Sequence, residues 1–254
     1  MMRIDLNADV GESFGAYSIG HDAGLMKSIT SANVAAGFHG GDPSVLRDTV
    51  RLAKASGVSI GAHPGLPDLG GFGRRELRIT PREAEDLVLY QIAAVAGVAA
   101  VEETRVQHVK PHGALYNMAA RDAELAAAIA RAIAAFDGSL ILFAPPASAL
   151  LHAGRAAGLR VAAEGFADRA YEPDASLASR KKSGSVISDP RRVAARAVLM
   201  VKEHTVEALD RSVLRLTVDT LCVHSDTPGA DQLAATVRAS LEAAGITVKA
   251  VGRP

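Results

Sequence analysis

Carboxylates, imidazoles and one lysine recur where successive apolar runs of this chain end, and these are the side chains able to move protons or hold a cation. Asp5, Asn7, Asp9 and Glu12 lie in DLNADVGE, and Asn33 and His39 in NVAAGFHGGDP. His63 closes GAH ahead of Pro64-Gly65, Lys110 and His112 flank Pro111 in HVKPHG, and His224 and Asp226 end the run VHSD. A proton-transfer site needs a base, an acid and donors for developing charge. The same residues also offer a carboxylate and two imidazoles, Asp9, His39 and His63, to a divalent ion.

Alternation puts Asp5, Asn7 and Asp9 on one side of their run, opposite Leu6 and Ala8. Three inward polar groups are costly unless they are hydrogen-bonded or bind something. A capping turn would account for one of them. Gly37, Gly40 and Gly41 allow backbone to approach a ligand beside His39, and the amides after Asp42 are placed to hold an anion. Asp42 reads equally as a helix N-cap. A buried Lys110 needs an anionic partner: Asp5, Asp9 or a substrate phosphate, a structural ion pair being the plain alternative. His108 alternates with Lys110 and shares its side. Residues 68–75, ending in Arg74-Arg75, read as a lid or as a solvated loop. Glu164, Asp168 and Arg169 fall on the same rim. The loop Arg180-Lys181-Lys182-Ser183-Gly184 reads either as a phosphate grip or as an ordinary charged run. His21, His152 and His204 read as surface residues and Cys222 as inert core.

The elements that must position these groups are short β-like runs alternating with helical patterns. Strands are predicted at 3–7, 31–35, 58–62, 106–110, 140–144, 160–164 and 220–224, with a further one at 247–251. Several are apolar without alternation, as strands buried on both faces are. Helical stripes join Leu46, Val50 and Ala53; Ala84, Val88, Ile92 and Val95; Leu125, Ile129, Ile133 and Phe136; Val193, Ala197 and Met200; and Leu233, Val237 and Leu241. Asp42-Pro43 and Asp189-Pro190 read as N-cap followed by Pro at N1, and Thr80-Pro81-Arg82-Glu83 as a capping box. Repeated β-then-α units imply parallel strands. Seven or eight units predict one α/β domain over residues 1–254, a closed (β/α) barrel, with an open doubly wound sheet as the alternative. The longest irregular piece is 166–188, a length that often carries function.

Composition narrows the partners. Lys plus Arg and Asp plus Glu balance at 28 each over 254 residues, and Trp is absent. No field draws nucleic acid or an anionic membrane, and few aromatics are present to stack bases. One cysteine excludes an internal disulfide and fits a reducing cytoplasm. The start shows no apolar signal core, and no apolar run approaches the ~18 residues of a membrane span. Ala-rich faces such as 126–135 suit a homo-oligomeric contact or simple core packing. The chain lacks a Gly-Lys phosphate loop, an opening GxGxxG, a GxSxG elbow, CxxC and HExxH.

Six motifs carry a resemblance: 5–17 (DLNADVGESFGAY), 31–43 (SANVAAGFHGGDP), 60–75 (IGAHPGLPDLGGFGRR), 107–119 (QHVKPHGALYNMA), 166–180 (FADRAYEPDASLASR) and 223–228 (VHSDTP). They run nearly end to end, and the chain resembles the LamB/YcsF family, described as the A subunit of a prokaryotic ATP-dependent 5-oxoprolinase. The resemblance implies a barrel related to those of glycoside hydrolases and polysaccharide deacetylases. It implies cleavage of 5-oxo-L-proline to L-glutamate coupled to ATP hydrolysis, with magnesium, beside 5-oxoprolinase subunits B and C. Ala36 stands where the family usually has Cys, Gly40 where it has Ala and Ser225 where it has Gly. If the chain is active, no thiol nucleophile is required at position 36.

A lactam resists water because amide resonance weakens its carbonyl, and phosphorylation of the amide oxygen would relieve this. On that scheme Lys110, with Arg169 or Arg180, meets phosphate charge, Asp9 or Glu12 is the base, and His39, His63 or His112 the acid or orienting group. Asp5, Asn7, Asn33, Glu164, Asp168, His224 and Asp226 are then candidate substrate contacts. Two other classes fit the same residues: a metal-dependent amide or acetyl-sugar hydrolase, and a non-catalytic subunit that presents substrate to its partners.

Overall fold

A computed structural model of the protein describes residues 2–223 and 229–252. Seven parallel strands close into a ring in the order β1 (Arg3–Val10), β2 (Ser31–Ala35), β3 (Ser59–His63), β4 (Val106–Val109), β5 (Ile141–Ala144), β6 (Arg160–Phe166) and β9 (Thr220–Val223), which pairs back to β1. The barrel is therefore closed and seven-stranded, and the open sheet is excluded. β10 (Thr247–Val248) adds to the start of β1 through Arg3 and Ile4, shorter than the run at 247–251 suggests.

Around the ring lie α1 (Asp22–Leu25), α2 (Pro43–Ala55), α3 (Pro81–Val101), α4 (Gly113–Arg121), α5 (Ala123–Asp137), α6 (Ala149–Ala156), α7 (Pro190–Lys202) and α8 (Ala230–Ala243). The start signals form as their chemistry requires. Asp42 accepts from the amides of Ser44 and Val45, Asp189 accepts from that of Arg191, and Thr80 and Glu83 form the reciprocal box. The stripes face inward except at Phe136, which is 37% exposed and ends outside its stripe. α3 is long and apolar enough to cross a membrane by length and composition, more than the sequence suggests. Its buried side, including Val88, Ile92 and Val95, packs on the barrel and on α5. Ala126, Ala128, Ala130 and Ala132 of α5 are buried within the chain.

The main apolar core lies between the strands' outer faces and the helices. Leu6, Ala8 and Val10 of β1 join Val34, Ile60 and Val109 there with the helical stripes. The other face of β1 points into the barrel and carries Asp5, Asn7 and Asp9, all buried. β1 runs three residues beyond the expected strand, so Asp9 sits within it. Register aligns Asp9 with Asn33, Asn33 with Gly61 and Gly61 with His108, which makes one polar level across four strands.

Between β6 and β9 the chain makes a long excursion. Residues 167–189 stay irregular as expected, tied by bridges between Arg169 and Val186 and between Tyr171 and Leu177. After α7 an antiparallel hairpin, β7 (Thr205–Glu207) with β8 (Val213–Arg215), stands outside the barrel.

The box at the start of α3 can be tested alone. Thr80→Ala should cost about 1 kcal/mol and lower the thermal midpoint by roughly 2–4 °C. Circular dichroism melting checks this, and an unchanged midpoint would contradict the box's contribution.

Candidate active site at the barrel mouth

Lys110, just past β4, turns its ammonium into the barrel. Its Nζ lies 2.8 Å from Asp9 Oδ1, 2.9 Å from Glu164 Oε1, 3.4 Å from Asn7 Oδ1 and 2.9 Å from Cys222 Sγ. Burial opposes the charge, yet Asp9 and Glu164 outweigh it and hold Lys110 well above the ordinary lysine range. Burial pushes the Cys222 thiol well up, so it stays protonated. The cysteine read as inert core is thus part of the lysine's surroundings.

A network holds the carboxylates in turn. Asn7 Nδ2 donates to Glu164 Oε1 and to Thr220 Oγ1, and Tyr116 donates to Glu164 Oε2 at 2.7 Å. Asn33 Nδ2 donates to Asn7 Oδ1 and Asp9 Oδ1, both at 2.8 Å, and Asn33 Oδ1 lies 2.8 Å from His108 Nε2. His108 stacks on Phe143, and burial lowers its pKa to about 3, so it is neutral and donates from Nε2. Gly61 makes this reach possible, because any Cβ there would run into the His108 ring. Asp5 lies deepest, accepting from Thr30, Ser31 and Thr220, and burial raises its carboxyl to about 6.

Above this level three imidazoles crowd at the rim. His63 Nδ1 lies 2.7 Å from the Lys110 carbonyl, and His112 Nε2 lies 2.8 Å from the Phe72 carbonyl. His63 Nε2 and His112 Nδ1 are 3.0 Å apart. His39 stacks on His112 with ring centroids 3.7 Å apart. Glu12 Oε1 lies 3.4 Å from His39 Nε2 and 3.5 Å from His112 Nδ1. Burial holds the imidazoles of His39 and His112 below the usual histidine range. The ligand atoms of Glu12, His39, His63 and His112 all lie within 4.8 Å of one another. Asp9, grouped with His39 and His63 from sequence, stands beside this set, with Oδ2 3.4 Å from His63 Nε2.

The walls are ordered by residues that local patterns do not mark. Gln91, buried on α3, accepts from the Gly65 amide and donates to the Gly65 carbonyl, which clasps the loop after His63. The stretch 68–75 is a short helical turn at Leu69–Gly71, capped by Asp68 and clasped by Arg75. Phe72 follows with φ 55°, a conformation most side chains avoid, and presents its carbonyl to His112. Tyr116 was within reach of sequence reading, since it lies one helical turn after His112 in a recognised motif.

The amides after Asp42 are not offered to an anion. Asp42 Oδ1 takes those of Ser44 and Val45, and Oδ2 takes that of Gly15. Arg169 is buried and donates to the Ser185 and Ala178 carbonyls, so it stitches the irregular segment together; burial lowers its pKa to about 10. Asp168 is buried at the start of that segment, and Arg180 is partly exposed within it. His224, Ser225 and Asp226 lie outside the described residues.

The model of one family, LamB/YcsF, matches residues 4–254. The chain belongs to the LamB/YcsF family. Among its relatives, the 5-oxoprolinase A subunit of Heliobacterium modesticaldum is 54% identical over 98% of both chains. The 5-oxoprolinase A subunit of Symbiobacterium thermophilum is 55% identical over 98% of this chain and 96% of its own. A lactam utilization protein from Thermus thermophilus superposes with TM-score 0.93 at 50% identity, covering 98% of this chain and all of that one. A polysaccharide deacetylase of Bacillus cereus, 11% identical over all of this chain and 93% of its own, shares the barrel alone at TM-score 0.51. For this LamB/YcsF member the names of its relatives support involvement in 5-oxoprolinase, and they come from a multi-subunit assembly. Its Gly40 packs on Glu12, where a Cβ would sit 2.6 Å from the Glu12 carbonyl oxygen.

The enclosure of Lys110 makes Lys110→Met a test of the fold as well as of the site. Removing one partner from a buried ion cluster should cost roughly 3–5 kcal/mol, against under ~1 kcal/mol for an exposed pair. Urea unfolding of Lys110→Met measures this, and Lys110→Met/Glu164→Gln should recover part of the loss. A loss below about 1 kcal/mol, the range of an exposed pair, would mean that the ammonium does not hold the carboxylates.

Proposed function

We propose that this chain is the component of an ATP-dependent 5-oxoprolinase that carries the ring-opening residues. The overall reaction is 5-oxo-L-proline plus ATP and two waters to L-glutamate, ADP and phosphate, in a complex with subunits B and C. The observation that carries this reading is the meeting of Glu12 with three buried imidazoles at the barrel mouth, in a chain more than half identical to proteins named as the A subunit of 5-oxoprolinase. The lone buried thiol, Cys222, suits a cytoplasmic setting.

Ring opening adds water to the lactam carbonyl carbon, breaks the bond from that carbon to nitrogen and delivers a proton to the nitrogen. We assign the base to Glu12 rather than Asp9, because Asp9 already neutralises Lys110 and accepts from Asn33. His39, neutral through burial and 3.4 Å from Glu12, is placed to hand that proton on to the leaving nitrogen. Lys110 acts as a positioning residue, since its donors are spent on Asp9, Glu164 and their neighbours. Three groups read as phosphate contacts are engaged elsewhere. The amides at the start of α2 are capped by Asp42, Lys110 is enclosed, and Arg169 is bonded to backbone. We assign nucleotide binding, with its magnesium, to the partner subunits. On the same grounds Lys110 and Arg169 lose the role of meeting phosphate charge.

The imidazole cluster also favours a second reading, a metal-dependent amide hydrolase that works without partners. One assay separates the two. Glutamate and ADP release from 5-oxoproline and ATP is measured with this chain alone, with subunits B and C alone and with all three. Stoichiometric release of both only in the full mixture is expected, and Glu12→Gln should lower it by roughly 10²–10⁴-fold at an unchanged melting midpoint. Full release without this chain, or an unimpaired Glu12→Gln, would overturn the assignment.

A further inference from the structure

We propose that the imidazole cluster is a binding site for a first-row transition dication, zinc foremost, with His39, His63, His112 and Glu12 as its ligands. Hydrogen counting points there first. A carbonyl oxygen only accepts, so the ring nitrogen that meets it must donate. His63 therefore carries its hydrogen on Nδ1, toward Lys110, and His112 carries its hydrogen on Nε2, toward Phe72. That leaves the lone pairs of His63 Nε2 and His112 Nδ1 facing each other at 3.0 Å. Two lone pairs at that distance repel unless a positive centre lies between them.

The rest of the cluster adds electron pairs to the same point. Glu12 Oε1 approaches His112 Nδ1 and His39 Nε2 to 3.5 and 3.4 Å. The His39 ring is buried, and among the described residues neither of its nitrogens makes a hydrogen bond of good geometry, Glu12 Oε1 standing 3.4 Å from Nε2. Tetrahedral bonds of about 2.0–2.1 Å to zinc place ligand atoms roughly 3.3–3.4 Å apart, near the separations of 3.0, 3.4 and 3.5 Å here, with the whole set lying within 4.8 Å. A backbone carbonyl on the distal ring nitrogen is also the support that metal-bound histidines receive. Three imidazoles favour zinc, copper, iron or nickel over magnesium. Four protein ligands would fill a tetrahedral shell, so the ion would hold the rim residues in place rather than present a bound water. Its ligands include Glu12 and His39, the base and the proton carrier of the proposed lactam reaction, so the ion-loaded and the reacting forms are alternative states of one site; metal binding is read without substrate, so the two proposals fail separately.

The test uses the full chain purified without chelator. Elemental analysis should find about one transition-metal equivalent. Cobalt added to the chelator-stripped chain should give visible ligand-field absorption, and added zinc should raise its melting midpoint. His39→Asn and Glu12→Gln keep the ties of His63 and His112 to backbone, so they carry the test even if His63→Ala fails to fold. Each should weaken cobalt binding by at least the roughly 10–100-fold seen when a support to a ligand is lost, and His152→Ala, at an exposed position of α6, should not. A folded chain with no metal, no cobalt absorption and no zinc effect would overturn the proposal in favour of a proton shared by His63 and His112. Metal binding unaffected by both cluster variants would overturn it equally.

Discussion

An ammonium enclosed by a barrel sets the terms for the rest of this molecule. Lys110 against Asp9 at 2.8 Å gains about 6 kcal/mol at an effective dielectric near 20. Withdrawing each ion from water costs several kcal/mol, so one pair alone roughly breaks even. Glu164 as a second carboxylate, and Asn7, Asn33, Thr220 and Tyr116 as donors to the acid groups, decide the balance. A barrel interior filled in this way cannot also be the main apolar core. The core moves to the outer face of the strands, where Leu6, Ala8, Val34 and Ile60 meet the helices.

That inner network in turn orients the rim. The Lys110 backbone carbonyl fixes the His63 ring while its side chain holds Asp9 beside that ring. On the other side, the Asp68–Arg75 clasp and the left-handed Phe72 aim a carbonyl at His112. His63 Nε2 and His112 Nδ1 are therefore turned inward, and burial favours the neutral form of His39 and His112. A site of that kind accepts a proton or a cation and has little to offer a phosphate. This is the physical ground for the proposal that ring opening occurs here and the nucleotide binds partner chains.

Much of this is legible along the chain. Period-two alternation marks Asp5, Asn7 and Asp9 as inward, and the ends of the apolar runs mark Glu12, His39, His63, Lys110 and His112. What escapes sequence reading is long-range or locally ambiguous. Gln91 sits on an apolar helix and acts on Gly65, 26 residues earlier. The Phe72 carbonyl belongs to backbone, which no residue type signals. The hairpin Thr205–Glu207 with Val213–Arg215 has three-residue strands, too short for alternation to register. The anion site expected after Asp42 fails because one carboxylate satisfies three amides. The membrane-length apolar content of α3 is hidden because the helix carries its charges near its start.

The central claim is the inward-facing lone pairs of His63 and His112. Nitrogen-15 spectra of the histidine rings in the full chain at neutral pH test it most directly. His63 should hold its hydrogen on Nδ1 and His112 on Nε2, with the two facing nitrogens bare or metal-bound. Either ring found in the opposite tautomer, or both found doubly protonated, would contradict this and remove the basis for the site as described.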